Sequence, residues 1–270
     1  MFCTDFIFDN ERLSDNGFII CNFDGSESSW SGGEVTFNTI KSPGSNNFTY
    51  YTSSYESPIS FTFSICKNPC KVDSQEEMYL TQDDQSYIMR WLQKIDGYRW
   101  FAFDQDGWED VWFNVQINLT THYLNGHVIG YDLVCTADSP YGYSQQHRKE
   151  FTLSNGSIDN EVEIKNYSDI VGSIYPKMTI TPLGNGTIRL RSGSTNNQKI
   201  TGIENAVKNS EIILDKNNDV ILGIANMNNF NYEFPIMSNE YKDIRTRFAN
   251  IGEMDIKVKI EYRFIRRVTV

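Results

Sequence analysis

Apolar and polar residues alternate along several stretches of this chain. Ile59, Phe61, Phe63 and Ile65 alternate with Ser60, Thr62 and Ser64, a period of two that predicts a strand with one apolar face. Phe113, Val115, Ile117 and Leu119 repeat the pattern around Asn114, Gln116 and Asn118, and Ile129, Tyr131, Leu133 and Cys135 repeat it again. Asn125-Gly126, a pair suited to two-residue turns, separates the last two runs and predicts a hairpin. Weaker alternation predicts strands over 17–23 and 34–40, and an aromatic run predicts another over 98–103.

One segment has the helical period instead. Ile88, Trp91, Leu92 and Ile95 recur at i, i+3, i+4 and i+7, which makes a single apolar stripe. Thr81 can cap its start, Asp83 and Asp84 suit the positive end of the helix dipole, and Gly97 follows as a stop. These signals predict a helix over 83–96 packed on a β-sheet.

Alternation stops near 138–144, where Pro140 and Gly142 cluster, and a polar stretch follows over 145–150. We therefore expect two domains, 1–144 and 145–270. Beyond the boundary, short strand-like runs recur at 162–165, 177–181, 187–191, 211–215, 220–224 and 255–264. Turn segments such as Gly184-Asn-Gly186 and Lys216-Asn-Asn-Asp219 separate them. Such spacing without a helical period predicts a β-sandwich. The expected fold class is mainly β, with one helix in the first half.

Residues 24–57 are rich in Gly, Ser, Asn and Tyr, including Tyr50, Tyr51 and Tyr55. Their plain reading is a solvated loop or long hairpin. Their sharper reading is an arm that docks on a neighbouring subunit, because Tyr supplies contact area at small entropic cost. On that reading Tyr50, Tyr51 and Tyr55 form the subunit interface.

Composition narrows the function classes. A formal charge of −11 and an isoelectric point near 4.8 oppose contact with phosphate backbones and anionic membranes, so neither nucleic acid nor membrane is an expected partner. The five cysteines are odd in number and irregularly spaced, which argues against a disulfide framework and for reduced, cytoplasmic thiols. Cys66 and Cys70 are the only close pair, and no second pair completes a zinc set. We expect no metal and no cofactor. The first residues lack the basic and apolar regions of an export signal, and no run approaches the roughly 20 apolar residues of a membrane span.

Catalysis finds no foothold. His122 and His127 flank the Asn125-Gly126 turn and read as exposed hairpin residues, while His147 reads as part of a polar linker. No nucleophile elbow, phosphate loop or dinucleotide fingerprint occurs. The run Asp104-Gln-Asp-Gly-Trp-Glu-Asp110 opens like a calcium loop but lacks the closing Glu. Trp91 and Trp100 read as core, whereas Trp30 and Trp108 read as an exposed pair.

The segment Phe6-Ile-Phe-Asp-Asn-Glu-Arg-Leu-Ser-Asp-Asn-Gly-Phe-Ile-Ile-Cys-Asn-Phe-Asp24 resembles the start of siphophage-type distal tail proteins. The order that follows is similar too: alternating strands, the Arg90-Trp91-Leu92 helix, an aromatic strand, and Val128-Ile-Gly-Tyr-Asp-Leu-Val-Cys-Thr-Ala-Asp-Ser-Pro-Tyr-Gly-Tyr143. Asn166-Tyr-Ser-Asp169, Ile174-Tyr-Pro-Lys-Met-Thr-Ile180 and Ile260-Glu-Tyr-Arg-Phe-Ile-Arg-Arg-Val268 extend the likeness through the second half. The resemblance implies an N-terminal ring-forming β-sandwich with one packed helix, followed by a galectin-like β-sandwich. It further implies a non-enzymatic virion protein, made in the bacterial host cytoplasm, that sits at the tail tip as a homohexameric ring. Its implied partners are the tail tube protein, a tail-tip or baseplate hub or tail-associated lysin protein, and fibre or receptor-binding proteins. Phage-derived bacteriocin particles carry related hubs. The rival readings are a carbohydrate-binding β-sandwich module and a cell-wall glycan hydrolase with dispersed carboxylates.

Overall fold

The computed structural model describes residues 5–23, 29–41, 44, 46–156 and 161–268. The protein is mainly β, with one α-helix among the described residues. It divides into two compact units, Met1–Tyr143 with Arg267–Val270, and Ser144–Arg266.

The first unit contains β1 (Phe6–Phe8), β2 (Glu11–Arg12), β3 (Phe18–Cys21), β4 (Ser29–Ser31), β5 (Val35–Lys41), β6 (Phe48–Tyr55) and β7 (Ser60–Lys67). Helix α1 (Gln82–Leu92) follows, then β8 (Arg99–Phe103), β9 (Phe113–Leu124), β10 (His127–Ala137) and the short β11 (Gly142–Tyr143). One antiparallel sheet runs in the order β2-β1-β8-β9-β10-β7-β3, and β4 also pairs with β7. The alternating runs supply its centre, because each places one apolar row on the core face. Phe61, Phe63 and Ile65 of β7 join Phe113, Val115 and Ile117 of β9 and Tyr131, Leu133 and Cys135 of β10. The Asn125-Gly126 turn closes the β9–β10 hairpin with positive φ at both residues, the conformation that two-residue turns require.

This sheet bends until its apolar face meets itself. The Phe61 ring on β7 lies 5.2 Å from the rings of Phe101 and Phe103 on β8, although β10 and β9 stand between those strands. In a flat sheet, three steps of about 4.8 Å would keep them apart. A continuous sheet thus supplies both layers of the first β-sandwich.

The helix packs on that core through buried Ile88, Trp91 and Leu92. Trp91 stacks on Phe6 with ring centroids 5.9 Å apart, and its Nε1–H donates to the Phe8 carbonyl at 3.2 Å. Thr81 and Asp84 form a reciprocal capping box, and Asp84 also meets Lys67 at 2.8 Å. The helix ends at Leu92, short of the expected 96. The Lys94 N–H bonds the Leu92 carbonyl at 3.1 Å, so the chain tightens and turns toward β8. Ile95, the expected last member of the apolar stripe, is therefore 94% exposed.

The second unit is a two-sheet sandwich. Its strands include β12 (His147–Leu153), β13 (Val162–Lys165), β14 (Gly172–Ile174), β15 (Lys177–Pro182), β16 (Gly186–Gly193), β17 (Gln198–Ala206), β18 (Ile212–Asp215), β19 (Val220–Leu222), β20 (Met237–Asn239), β21 (Arg245–Asn250) and β22 (Ile256–Tyr262). One sheet runs β12-β22-β15-β18-β19, and the other runs β13-β21-β16-β17. Met178, Ile180, Leu214, Val258 and Ile260 of the first face Ile188, Leu190, Ile203 and Phe248 of the second in one core. Buried area of this kind, at ~25 cal/mol per Å², supplies the main driving force for the fold.

Candidate assembly surface

Among the described residues, strands β5 and β6 pair only with each other and form a sheet separate from the main one. Their register runs from Val35 opposite Tyr55 to Lys41 opposite Phe48, with one shift between Asn38 and Thr39 that leaves Tyr51 as an extra, bulged residue. The shift keeps the aromatic residues in phase. Tyr50 lies opposite Thr39 and so shares a face with Phe37, with ring centroids 6.4 Å apart. Lys41 Nζ lies over the Phe48 ring on the same side, 5.7 Å from its centroid. Thr36, Asn38, Thr49 and Thr52 occupy the opposite face together with Ile40, which is 53% exposed.

The ribbon is thus aromatic on one face and largely polar on the other, and its aromatic side is open. Phe37 and Phe48 are each 66% exposed, and Tyr50 is 59% exposed. A two-stranded ribbon is at best marginally stable in water by itself. Scattered exposed rings are ordinary, but a contiguous row on one face makes a candidate contact surface. The three tyrosines expected at an interface part company here. Tyr50 and Tyr51 are exposed, whereas Tyr55 is half-buried and meets the Tyr141 ring edge-on at 6.3 Å. Phe37 and Phe48 belong to the surface as well, although alternation in 34–40 registers only as a strand in the sequence.

A second cluster brings a serine, an aspartate and a histidine together without the geometry of an activated nucleophile. On the non-core face of the main sheet, the Ser64 hydroxyl donates to Asp132 at 2.5 Å, and His122 Nε2 lies 2.5 Å from the other Asp132 oxygen. The Phe23 ring covers His122, with centroids 4.4 Å apart. The carboxylate stands between hydroxyl and imidazole, so His122 has no contact through which to take the serine proton. Beside it, the Cys21 and Cys66 thiols share a hydrogen bond that pushes Cys21 up and holds Cys66 below the usual thiol range. Among the described residues, no group of three His, Cys, Asp or Glu side chains is placed to hold a metal ion.

Other expectations change once the packing is seen. Trp30 and Trp108 are not an exposed pair: their rings lie 5.4 Å apart, and Trp30 stacks on Phe61 at 4.8 Å beside the core. Trp100 points away from the core, because Phe101 and Phe103 take the inward rows of β8, and it meets Tyr143 at 5.5 Å. His122 is half-buried rather than exposed, while His127 is exposed and stacks on Tyr79 at 4.4 Å. His147 lies within β12 and packs against Tyr262 and Phe264, not in a linker.

The outer faces of the second unit are charged. Lys257 and Lys259 of β22 and Glu150 of β12 cover one sheet, with Lys257 bound to Glu150 at 3.8 Å and Lys259 to Glu261 at 2.6 Å. On the other sheet, Arg191 and Arg247 both reach Glu161, and Arg247 also lies 3.8 Å from Glu163. Exposed ion pairs contribute little stability, but they keep a sheet face solvated.

Comparison with known proteins follows the same division. A family model described as a phage tail protein N-terminal domain matches residues 1–139, and one described as a phage tail C-terminal domain matches residues 141–262. No protein with a curated description matches. Among solved structures, the chain is similar to the SPP1 Dit protein, described as a paradigm of the hub adsorption apparatus in phages that infect Gram-positive hosts. The TM-score is 0.61 at 9% identity, over 96% of this chain and 98% of that one, a likeness of fold. A tryptic core variant of Cry1Da from Bacillus thuringiensis aligns over 100% of this chain and 52% of that one at 13% identity, but its TM-score of 0.21 carries no argument.

Proposed function

Because the chain belongs to a phage tail protein family whose two domain models span nearly all of it, we propose that it is a structural subunit of the tail tip. In this reading, copies close into a ring, six in number, that joins the tail tube to the baseplate, fibre or receptor-binding apparatus. Residues 1–144 form the ring, and residues 145–270 form a galectin-like module. The hub description of SPP1 Dit, whose fold this chain shares, supports the assignment. No catalytic step belongs to this role.

The observation that carries the reading is the exposed aromatic face of the β5–β6 ribbon, set against the charged sheet faces of the second unit. Ring closure requires two different patches on each copy, each complementary to the other. The first unit has the sticky material, and Tyr50 and Tyr51 lie on it. Tyr55 anchors the ribbon through Tyr141 and contributes from its base.

Negative-stain microscopy and light scattering on the purified full-length chain test the proposal. The expected result is an annulus with an open lumen and a mass six times that of the 31.2 kDa chain. Particles of single-copy mass at every concentration would overturn it.

A further inference from the structure

Strand β9 has an unfinished edge. It pairs with β10 along nearly its whole length, but with β8 only at Phe113, Asn114 and Val115 of its twelve residues. The Asn114 carbonyl accepts from the Asp138 N–H on the β10 side, at 2.9 Å. Backbone groups alternate in direction along a strand, so those of Ile117, Leu119 and Thr121 point to the side that β8 has left. Among the described residues, no strand pairs there. Ile117 is buried, Leu119 is half-buried and Tyr123 is exposed, so the core face of β9 runs outward past the core that covers it.

Resting on the reading that copies assemble with one another, we infer that β5 of one copy adds to this edge of β9 in the next. Four features fit the match. The free stretch beyond Val115 is long enough for the seven residues of β5. An open edge is a template for another strand, and pairing a strand satisfies its idle donors and acceptors. Phe37 on β5 alternates with polar Thr36 and Asn38, so an in-phase addition lays its ring beside Leu119 and Tyr123 and extends the core face. Finally, β6 carries the bulge at Tyr51 and β5 is regular, which makes β5 the competent edge and β6 the stop. The ribbon and the β9 edge are different surfaces of one copy, which is what closure by rotation demands.

Hydrogen exchange on the full-length chain, compared between the assembled state and dilutions at single-copy mass, tests this pairing. Amides of Ile117, Leu119 and Thr121 and peptides covering 35–41 should exchange at least tenfold more slowly in the assembly. Thr121→Pro removes an outward donor and should reduce the mass to one copy, while Thr121→Val retains the N–H and should assemble. A ring whose β9 edge exchanges equally fast in both states overturns the pairing and leaves the ring reading intact. Absence of any assembly overturns both.

Discussion

The ring of Phe6 lies 5.4 Å from the ring of Phe63, edge-on, although β8, β9 and β10 separate their strands in the sheet. Four strand-to-strand steps of about 4.8 Å span roughly 19 Å when flat, so the contact exists only because the sheet rolls over. Phe101 and Trp91 complete the aromatic centre, with Phe101 5.0 Å from Phe6. Phe63→Ala should therefore lower unfolding free energy by about 3–5 kcal/mol, read by denaturant titration. A change below about 1 kcal/mol would mean that the roll does not depend on this contact.

The ribbon should behave in the opposite way. Its rings touch solvent, so Phe37→Ser with Tyr50→Ser should leave the stability of a single copy within about 0.5 kcal/mol. The same pair should abolish assembly, seen as a fall in mass by light scattering. Intact rings from the double variant would remove the aromatic face from the interface.

Asp84 predicts a pH dependence. Partial burial pushes its carboxyl up, but Lys67 and the N–H and hydroxyl of Thr81 outweigh burial and hold it below the ordinary carboxylate range. A depressed folded-state value stabilises the protein above the unfolded value, near about pH 4, and that contribution disappears as acidification passes the folded one. Melting curves from pH 6 to pH 2.5 should show the loss, and Asp84→Asn should flatten it. Thr81→Ala removes the other half of the capping box and should cost about 1 kcal/mol at neutral pH.

Gly130 offers a steric test. A Cβ there would lie 2.1 Å from the Ile65 carbonyl oxygen and 2.5 Å from Phe23 Cζ. Backbone cannot yield as a flexible side chain does, so Gly130→Ala should destabilise the first unit by about 1–3 kcal/mol. It should also dislodge the Phe23 ring from His122, visible in the imidazole proton shifts by NMR.

Much of the strand pattern is legible in the sequence, for a physical reason. Strands β7, β9 and β10 each have one face in the core and one facing polar surroundings, so Phe61, Ile117 and Leu133 write the period directly into the chain. The helix start is equally legible, because Thr81 and Asp84 act locally. Its end is not: Ile95 continues the spacing, but the turn at Lys94 ignores it. Trp30 reads as exposed because its contacts, Phe61, Phe103 and Trp108, lie far along the chain, and Trp108 because no periodicity shows that it turns toward Phe103 and Phe113. The aromatic ribbon reads in the sequence only as a Tyr-bearing segment. Its phase depends on the bulge at Tyr51, which no composition reveals.

In the second unit, β12 opens the chain segment and β22 nearly ends it, and the two lie side by side from His147 opposite Tyr262 to Leu153 opposite Ile256. The chain then contributes Val268 to the core of the first unit. Entry and exit of this module are therefore neighbours. A segment bounded in that way can be grafted, enlarged or exchanged as a cassette by rejoining the chain at two neighbouring points.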